Sequence, residues 1–78
     1  MNALQITKIN KAQTRFSISN GLNIKTVQIF DLLGRQLYNL EGNNSEETYN
    51  LSQLNTSIFI ATVTLSNGAT ITKKVIIK

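Results

Sequence analysis

The stretch that decides the fold covers residues 58–78 and reads IFIATVTLSNGATITKKVIIK. Its first half places apolar side chains at every second position: Phe59, Ala61, Val63 and Leu65. Such alternation is typical of a strand with one buried face. The dipeptide Asn67-Gly68 is a strong hairpin signal, because a type I′ turn needs positive φ at both central residues. We therefore predict two antiparallel strands, Ile58–Ser66 and Thr70–Lys78, joined by a type I′ turn.

Alternation with a period of two recurs through the rest of the chain, and no 3.6-residue apolar stripe replaces it. It predicts five further strands: Leu4–Ile9, Thr14–Ser19, Ile24–Leu32, Arg35–Leu40 and Glu47–Leu51. About seven short strands separated by turn signals are typical of a sandwich of two packed sheets. The fold class that follows is all-β: an Ig-like antiparallel β-sandwich of about seven strands, in which residues 1–78 form a single domain.

Three polar segments are predicted to connect these strands. Asn20-Gly21 is a second hairpin dipeptide. Asp31 and Gly34 stand at the first and fourth positions of a predicted type I turn, in which the carboxylate accepts a hydrogen bond from a nearby backbone N–H and Gly34 adopts the left-handed conformation. Residues 41–46 form a longer polar loop.

The composition includes few of the residue types that enzymes use for catalysis. The 78 residues include no Cys, His, Pro or Trp. Without Cys and His, the chain has no disulfide, none of the usual zinc sites and no histidine general base. The carboxylates are Asp31, Glu41, Glu46 and Glu47. Three of them lie in or beside one polar loop, so we interpret all four as structural rather than as a catalytic pair. We expect no enzyme, no cofactor and no metal.

The formal charge of +4 is mildly basic. The cations lie at strand ends rather than in one dense stripe, and most aromatic side chains occupy positions that a core would claim, so no nucleic-acid partner is expected. No apolar run approaches the roughly 20 residues of a membrane span, so no membrane insertion is expected. Lys73, Lys74 and Lys78 are interpreted as solvated side chains that resist edge pairing, or as a patch for an acidic partner.

Five segments, taken in order, resemble a known class of secretion signal. Residues 27–37 read VQIFDLLGRQL, which is a strand, a D-x-x-G-R turn and a returning strand. The later segments are YNLSQL at 49–54, SIFIATV at 57–63, Asn67-Gly68, and KKVIIK at 73–78. This order, over roughly residues 24–78, is similar to the type A C-terminal sorting domains that cargo proteins of the type IX secretion system (Por secretion) carry in Bacteroidetes.

The resemblance implies a folded signal without catalysis, excised from a larger secreted parent protein on its N-terminal side. Such domains direct the parent from the periplasm through the outer-membrane translocon. A sortase-like surface peptidase usually removes them, and the cargo ends on the cell surface or outside the cell. The resemblance implies that these components read Arg35, Lys73, Lys74 and Lys78 directly. The other motif residues are expected to shape turns and core: Asp31, Gly34, Leu51, Leu54, Phe59, Gly68 and Val75.

Two other hypotheses are also compatible with the sequence. A carbohydrate-binding or adhesive β-sandwich appended to an extracellular enzyme needs exposed aromatic platforms. Since the chain has no Trp, this hypothesis predicts that Tyr38 and Tyr49 are exposed on one sheet face or loop rim. A purely structural sandwich predicts no surface shaped for a partner.

Overall fold

The structure is a computed structural model that describes residues 4–54 and 56–76. The strands are β1 Leu4–Lys8, β2 Gln13–Ile18, β3 Ile24–Phe30, β4 Gln36–Glu41, β5 Glu46–Asn50, β6 Ile58–Leu65 and β7 Thr70–Ile76. They form two antiparallel sheets, a three-stranded one in the order β1-β2-β5 and a four-stranded one in the order β4-β3-β6-β7. The predicted Ig-like β-sandwich is confirmed, and the strand bounds agree with the predicted ones within two residues wherever the structure describes them.

The core lies between the sheets and is built from alternate strand positions. The inward side chains of β6 are fully or almost fully buried, as the period of two predicts, whereas those between them are partly exposed. The buried apolar residues come from both sheets and from the β5–β6 connection: Leu4, Phe16, Ile18, Ile24, Val27, Ile29, Leu51, Phe59, Ala61, Val63, Leu65 and Val75. Burial of this apolar surface is the main favourable contribution to folding.

The hairpin between β6 and β7 has a different turn from the predicted one. Gly68 has φ +89°, but no described residue other than glycine has positive φ, so Asn67 does not adopt a type I′ conformation. Leu65 O accepts a hydrogen bond from Gly68 N at 2.9 Å, and Leu65 N donates to Ala69 O at 2.8 Å. These bonds define a type I turn followed by a left-handed glycine in a bulge. This geometry requires positive φ only at the glycine, which spares Asn67 a strained conformation.

The second predicted hairpin, at Asn20-Gly21, does not form. Strand β2 belongs to the three-stranded sheet and β3 to the four-stranded sheet, so this segment crosses between the layers. The loop at residues 42–45 also crosses, from β4 to β5. Its backbone ties the two sheets together, because Asn44 O accepts from Ile24 N at 2.9 Å and Ser45 O accepts from Ile18 N at 2.8 Å. A turn dipeptide encodes a local reversal, but the packing of the two layers decides which strands pair.

The two adjacent lysines of β7 lie in different environments. Lys74 is exposed on the outer face, whereas Lys73 lies on the inner face and is half-buried. Lys73 Nζ donates a hydrogen bond to Leu4 O of β1 at 3.2 Å. The interpretation of Lys73 as a solvated side chain is therefore wrong, because the inner face of β7 passes close to β1. Lys78 lies outside the described residues.

We expect Lys73→Gln to lower the free energy of unfolding by about 1 kcal/mol, because it removes a charged donor that bridges the two sheets. The matched change Lys74→Gln should stay within about 0.5 kcal/mol of the parent chain, since the Lys74 side chain is exposed. Urea unfolding followed by circular dichroism measures both. Equal losses for the two variants would show that the Lys73 contact contributes nothing specific.

Candidate functional site

The turn between β3 and β4 is organised by one carboxylate. Asp31 Oδ1 accepts from the backbone N–H groups of Leu33 and Arg35, both at 2.9 Å, and Oδ2 pairs with Arg35 Nε at 2.7 Å. Gly34 N donates to Asp31 O at 3.0 Å, and Gly34 has φ +88°. The predicted type I turn with a left-handed Gly34 is confirmed. The Arg35 backbone N–H, with further help from the guanidinium and from the Leu33 N–H, holds the pKa of Asp31 below its ordinary value.

The connection from β5 to β6 crosses between the sheets near this turn. Leu51 is buried, as the resemblance implies, and its carbonyl accepts from Leu54 N at 3.0 Å. Leu54 is half-buried and packs against the core. Thr56 Oγ1 donates to Ile58 O at 2.9 Å, a local hydrogen bond at the start of β6. Asn55 lies outside the described residues.

These two segments form the walls of one groove of about 450 Å³, which we call the Arg35 groove. Its lining consists of Asp31, Arg35, Leu37, Tyr38, Gln53, Leu54 and Thr56. Leu37 reaches it through a bulge: Ile29 pairs with Tyr38, but Phe30 pairs with Gln36, which leaves Leu37 as the extra residue of β4. Bulges re-aim side chains in this way, often beside functional sites.

A smaller cationic depression of about 70 Å³, which we call the lysine cleft, adjoins the Arg35 groove. Its lining consists of Lys8, Lys11, Ala12, Thr14, Leu51, Ser52, Leu54 and Thr56. Leu54 and Thr56 belong to both linings. No sequence motif pointed to Lys8, Lys11, Leu37 or Gln53 as site residues. The crossing β5–β6 connection, through Leu54 and Thr56, sets the cleft with Lys8 and Lys11 beside the Arg35 groove.

The predicted recognition residues are not all brought together. Arg35 lines its groove, with a side chain that is 75% exposed. Lys73 and Lys74 do not line either depression, and Lys73 contacts β1 instead. The motif residues occupy turns or core: Asp31 and Gly34 lie in the first turn, Gly68 in the second, and Leu51, Leu54, Phe59 and Val75 in or against the core. Asp31 and Leu54 also line the Arg35 groove.

The two tyrosines do not form an exposed platform. Both are half-buried, because each lies at an inward position of its strand. Tyr49 packs edge-on against Phe16, with ring centroids 5.7 Å apart, and donates its hydroxyl proton to Glu41 O at 2.9 Å. Burial, with a smaller effect of the Glu47 charge, raises the pKa of Tyr49 to about 12. The aromatic surface that the carbohydrate-binding hypothesis requires is therefore not present at these residues.

The Tyr38 hydroxyl is buried and has no hydrogen-bond partner within the described part of the chain. We expect Tyr38→Phe to keep the free energy of unfolding or raise it by about 1 kcal/mol, because an unpaired buried polar group is costly. Tyr49→Phe should lower it by about 1 kcal/mol, since the bond to Glu41 O is lost. Urea unfolding of the two variants checks this opposition. A loss of stability in Tyr38→Phe as large as that in Tyr49→Phe would contradict it.

A second carboxylate, Glu47, organises the β4–β5 loop. Its Oε2 accepts from Asn43 N at 2.6 Å, from Asn44 N at 3.0 Å and from Asn44 Nδ2 at 3.2 Å. The Asn43 backbone N–H, followed by the Asn44 donors, lowers the pKa of Glu47 from its ordinary value. For Asp31 and Glu47, the interpretation of the carboxylates as structural agrees with these bonds.

These pKa directions predict the response of stability to pH. The pKa values of Asp31 and Glu47 are lower in the folded state than in the unfolded chain. Their contribution is therefore complete above about pH 5 and is lost as the pH falls through the unfolded values near 4 and then the lower folded values. The free energy of unfolding, measured in urea across this pH range, should fall as the pH decreases. Asp31→Asn combined with Glu47→Gln should make this dependence less steep. If the double variant keeps the pH dependence of the parent chain, other groups cause the loss of stability in acid.

The fold and the two depressions define a small Ig-like β-sandwich module with two adjoining depressions at the β5–β6 connection. A family model described as a domain of unknown function, DUF8694, matches residues 2–77, and the chain belongs to this family. No curated protein matches the chain. The described residues include no helix long and apolar enough to cross a membrane.

Proposed function

We propose that this domain is a folded sorting signal that directs a parent protein across the outer membrane through the type IX secretion system. The observation that carries the proposal is the meeting of two motif segments. The turn with Asp31 and Arg35, and the connection with Leu54, are separate parts of the resemblance but line the same groove. A signal that is read as a folded domain needs such a composite surface, which a linear tag does not.

The proposal assigns no catalytic step to the domain. It passes through the periplasm with its parent, is recognised by translocon components, and is removed at the cell surface by a sortase-like peptidase, so that the cargo ends at the surface or outside the cell. Among the residues predicted to be read directly, Arg35 and Lys74 are exposed. Lys73 contributes to the packing of β7 on β1. The recognition role of Lys78 stays a prediction.

The direct test fuses the domain to the C-terminus of a reporter that carries a signal peptide, in a bacterium with a type IX system. We expect the reporter at the cell surface or in the medium in the wild-type strain, and in the periplasm in a translocon mutant. Periplasmic retention in both strains, with the fused domain resistant to protease and therefore folded, would overturn the proposal.

Matched arginine variants separate recognition from folding. Arg35→Gln should lower the exported fraction about tenfold, because it removes an exposed cation at the groove. Arg15→Gln removes a cation of β2 that pairs with Glu46 at 3.5 Å and lines neither depression, so export should be unchanged. Equal export of the two variants would remove Arg35 from the recognition surface.

A further inference from the structure

The Arg35 groove and the lysine cleft adjoin each other, since Leu54 and Thr56 line both, and together they make up one candidate binding surface. Three parts of the chain meet there: the β3–β4 turn, the β5–β6 connection, and the end of β1 with the following turn, which carry Lys8 and Lys11. Its combined chemistry identifies the class of ligand that it fits.

The charge of this surface is unbalanced. It holds three cations, Arg35, Lys8 and Lys11, and one carboxylate, Asp31. Both oxygens of Asp31 already accept hydrogen bonds within its own turn, and its nearest cation is the Arg35 guanidinium, so this carboxylate is engaged locally. Arg35 offers only Nε to Asp31, and three quarters of its side chain is exposed, which leaves the terminal Nη groups for a partner. Neither Lys8 nor Lys11 forms an ion pair with a described residue.

The same surface has an apolar component. Leu37, placed by the bulge, and Leu54 line the Arg35 groove. The adjoining turn carries Leu32 and Leu33, which are 54% and 83% exposed. Large aliphatic side chains clustered beside a groove are typical of interaction sites. Tyr38 also lines the groove, but its hydroxyl is buried and is not accessible to a ligand there.

We propose that this surface binds an extended acidic segment of a partner protein. An aliphatic or aromatic side chain of the segment occupies the Arg35 groove against Leu37 and Leu54. Carboxylates on either side of it pair with Arg35 at one end and with Lys8 or Lys11 at the other. The assignment of this partner to the secretion machinery rests on the proposed function, whereas the chemistry of the segment rests on the groove alone.

An acidic peptide fits this surface better than a nucleic acid does. Single-stranded nucleic acids need aromatic side chains on which bases stack. The linings offer leucines instead, and their one aromatic side chain, Tyr38, is half-buried. Leucine-lined grooves with flanking cations match apolar anchors that carry neighbouring carboxylates, because each part is complementary in polarity and charge.

The probe is a library of random heptapeptides displayed on phage and selected against the full chain. We expect enrichment of sequences in which Asp or Glu flanks Leu, Ile, Phe or Trp, and the most enriched peptide, synthesised and labelled, should bind in fluorescence anisotropy. Selection of no sequence, or of sequences without acidic residues, would overturn the proposal. Displacement of the peptide by an equal concentration of oligothymidylate would also overturn it, because the surface would then bind polyanions in general.

Variants locate the binding surface. Arg35→Gln, and Lys8→Gln combined with Lys11→Gln, should each weaken peptide binding about tenfold. Lys25→Gln, an exposed cation of β3 that lines neither depression, is the matched control and should leave binding unchanged. Equal binding by all variants would overturn the assignment of the surface.

The two proposals fail separately. Export of the wild-type fusion together with failed peptide selection would leave the sorting function and remove the acidic-segment surface. Peptide binding that depends on Arg35, Lys8 and Lys11, together with periplasmic retention of the folded fusion, would keep the surface and remove the sorting function.

Discussion

Replacement of Phe59 by Ala is expected to lower the free energy of unfolding by about 3–5 kcal/mol, a larger loss than we expect from any of the other variants. Phe59 is fully buried on the inner face of β6, and its position in the ladder pairs with Val75 of β7. Its removal leaves a cavity in the core. Since domains of this kind have a total stability of only about 5–15 kcal/mol, the variant should be unfolded or barely folded.

The matched control is Phe30→Ala, the same change on the outer face of the neighbouring strand β3. Phe30 is only half-buried, so its loss should cost no more than about 1–2 kcal/mol. Urea unfolding followed by circular dichroism measures both variants. Similar losses at the two positions would mean that the inner face of β6 is not the centre of the core.

Phe59→Ala also tests how the proposed signal is read. If recognition requires the folded domain, the reporter fused to this variant should stay in the periplasm or be degraded there, whereas the Phe30→Ala fusion should be exported. Export of the reporter with an unfolded Phe59→Ala domain would show that a linear segment carries the signal. The composite Arg35 groove would then have no part in recognition.

Replacement of Gly42 by Ala is expected to have the second-largest effect, a loss of about 1–3 kcal/mol through overpacking. A Cβ atom at this position would lie 3.0 Å from Ile24 O, from Glu47 Cγ and from the Tyr49 hydroxyl. The backbone oxygen cannot move away independently of β3. The variant must therefore shift the loop that ties the two sheets, and with it the bonds that Glu47 and Tyr49 make.

The control for Gly42→Ala is Gly68→Ala in the β6–β7 turn. A Cβ at Gly68 meets no atom within 4 Å, so only its positive φ opposes the change, at a cost of about 1 kcal/mol. Thermal unfolding compares the two, and ultraviolet titration of tyrosine gives a second readout. The pKa of Tyr49, about 12 in the parent, should fall in Gly42→Ala and stay unchanged in Gly68→Ala. An unchanged pKa with unchanged stability would contradict the close packing at Gly42.

Residues whose role depends on their near neighbours could be predicted from the sequence. Phe59 and Val63 alternate with residues that are only partly buried, and this alternation placed them correctly in the core. The turn at Asp31 and Gly34 was also correct, because its hydrogen bonds stay within five consecutive residues. The type I′ turn at Asn67 was wrong since the same dipeptide suits two turn types, and the bulged one needs positive φ only at the glycine.

Residues whose role depends on distant partners could not be predicted in this way. Lys73 was interpreted as solvated because nothing nearby in the chain indicates that its strand passes Leu4 of β1. Tyr38 and Tyr49 are candidates for a ligand surface in the sequence, because no local pattern shows whether their side chains face the core or the solvent. The Arg35 groove itself could not be foreseen, since Leu37 enters it through a bulge and Leu54 through a crossing connection.

The sequence by itself determined the all-β class, the strand positions, the buried face of each strong strand and the Asp31 turn. Alternation and turn chemistry act over a few residues, and the backbone responds to them locally. Only the tertiary structure decided that β2 pairs with β5 rather than β3, that Lys73 bridges two sheets, and that the Arg35 groove adjoins the cleft of Lys8 and Lys11. These outcomes depend on how two apolar faces close on each other, which is a property of the whole core.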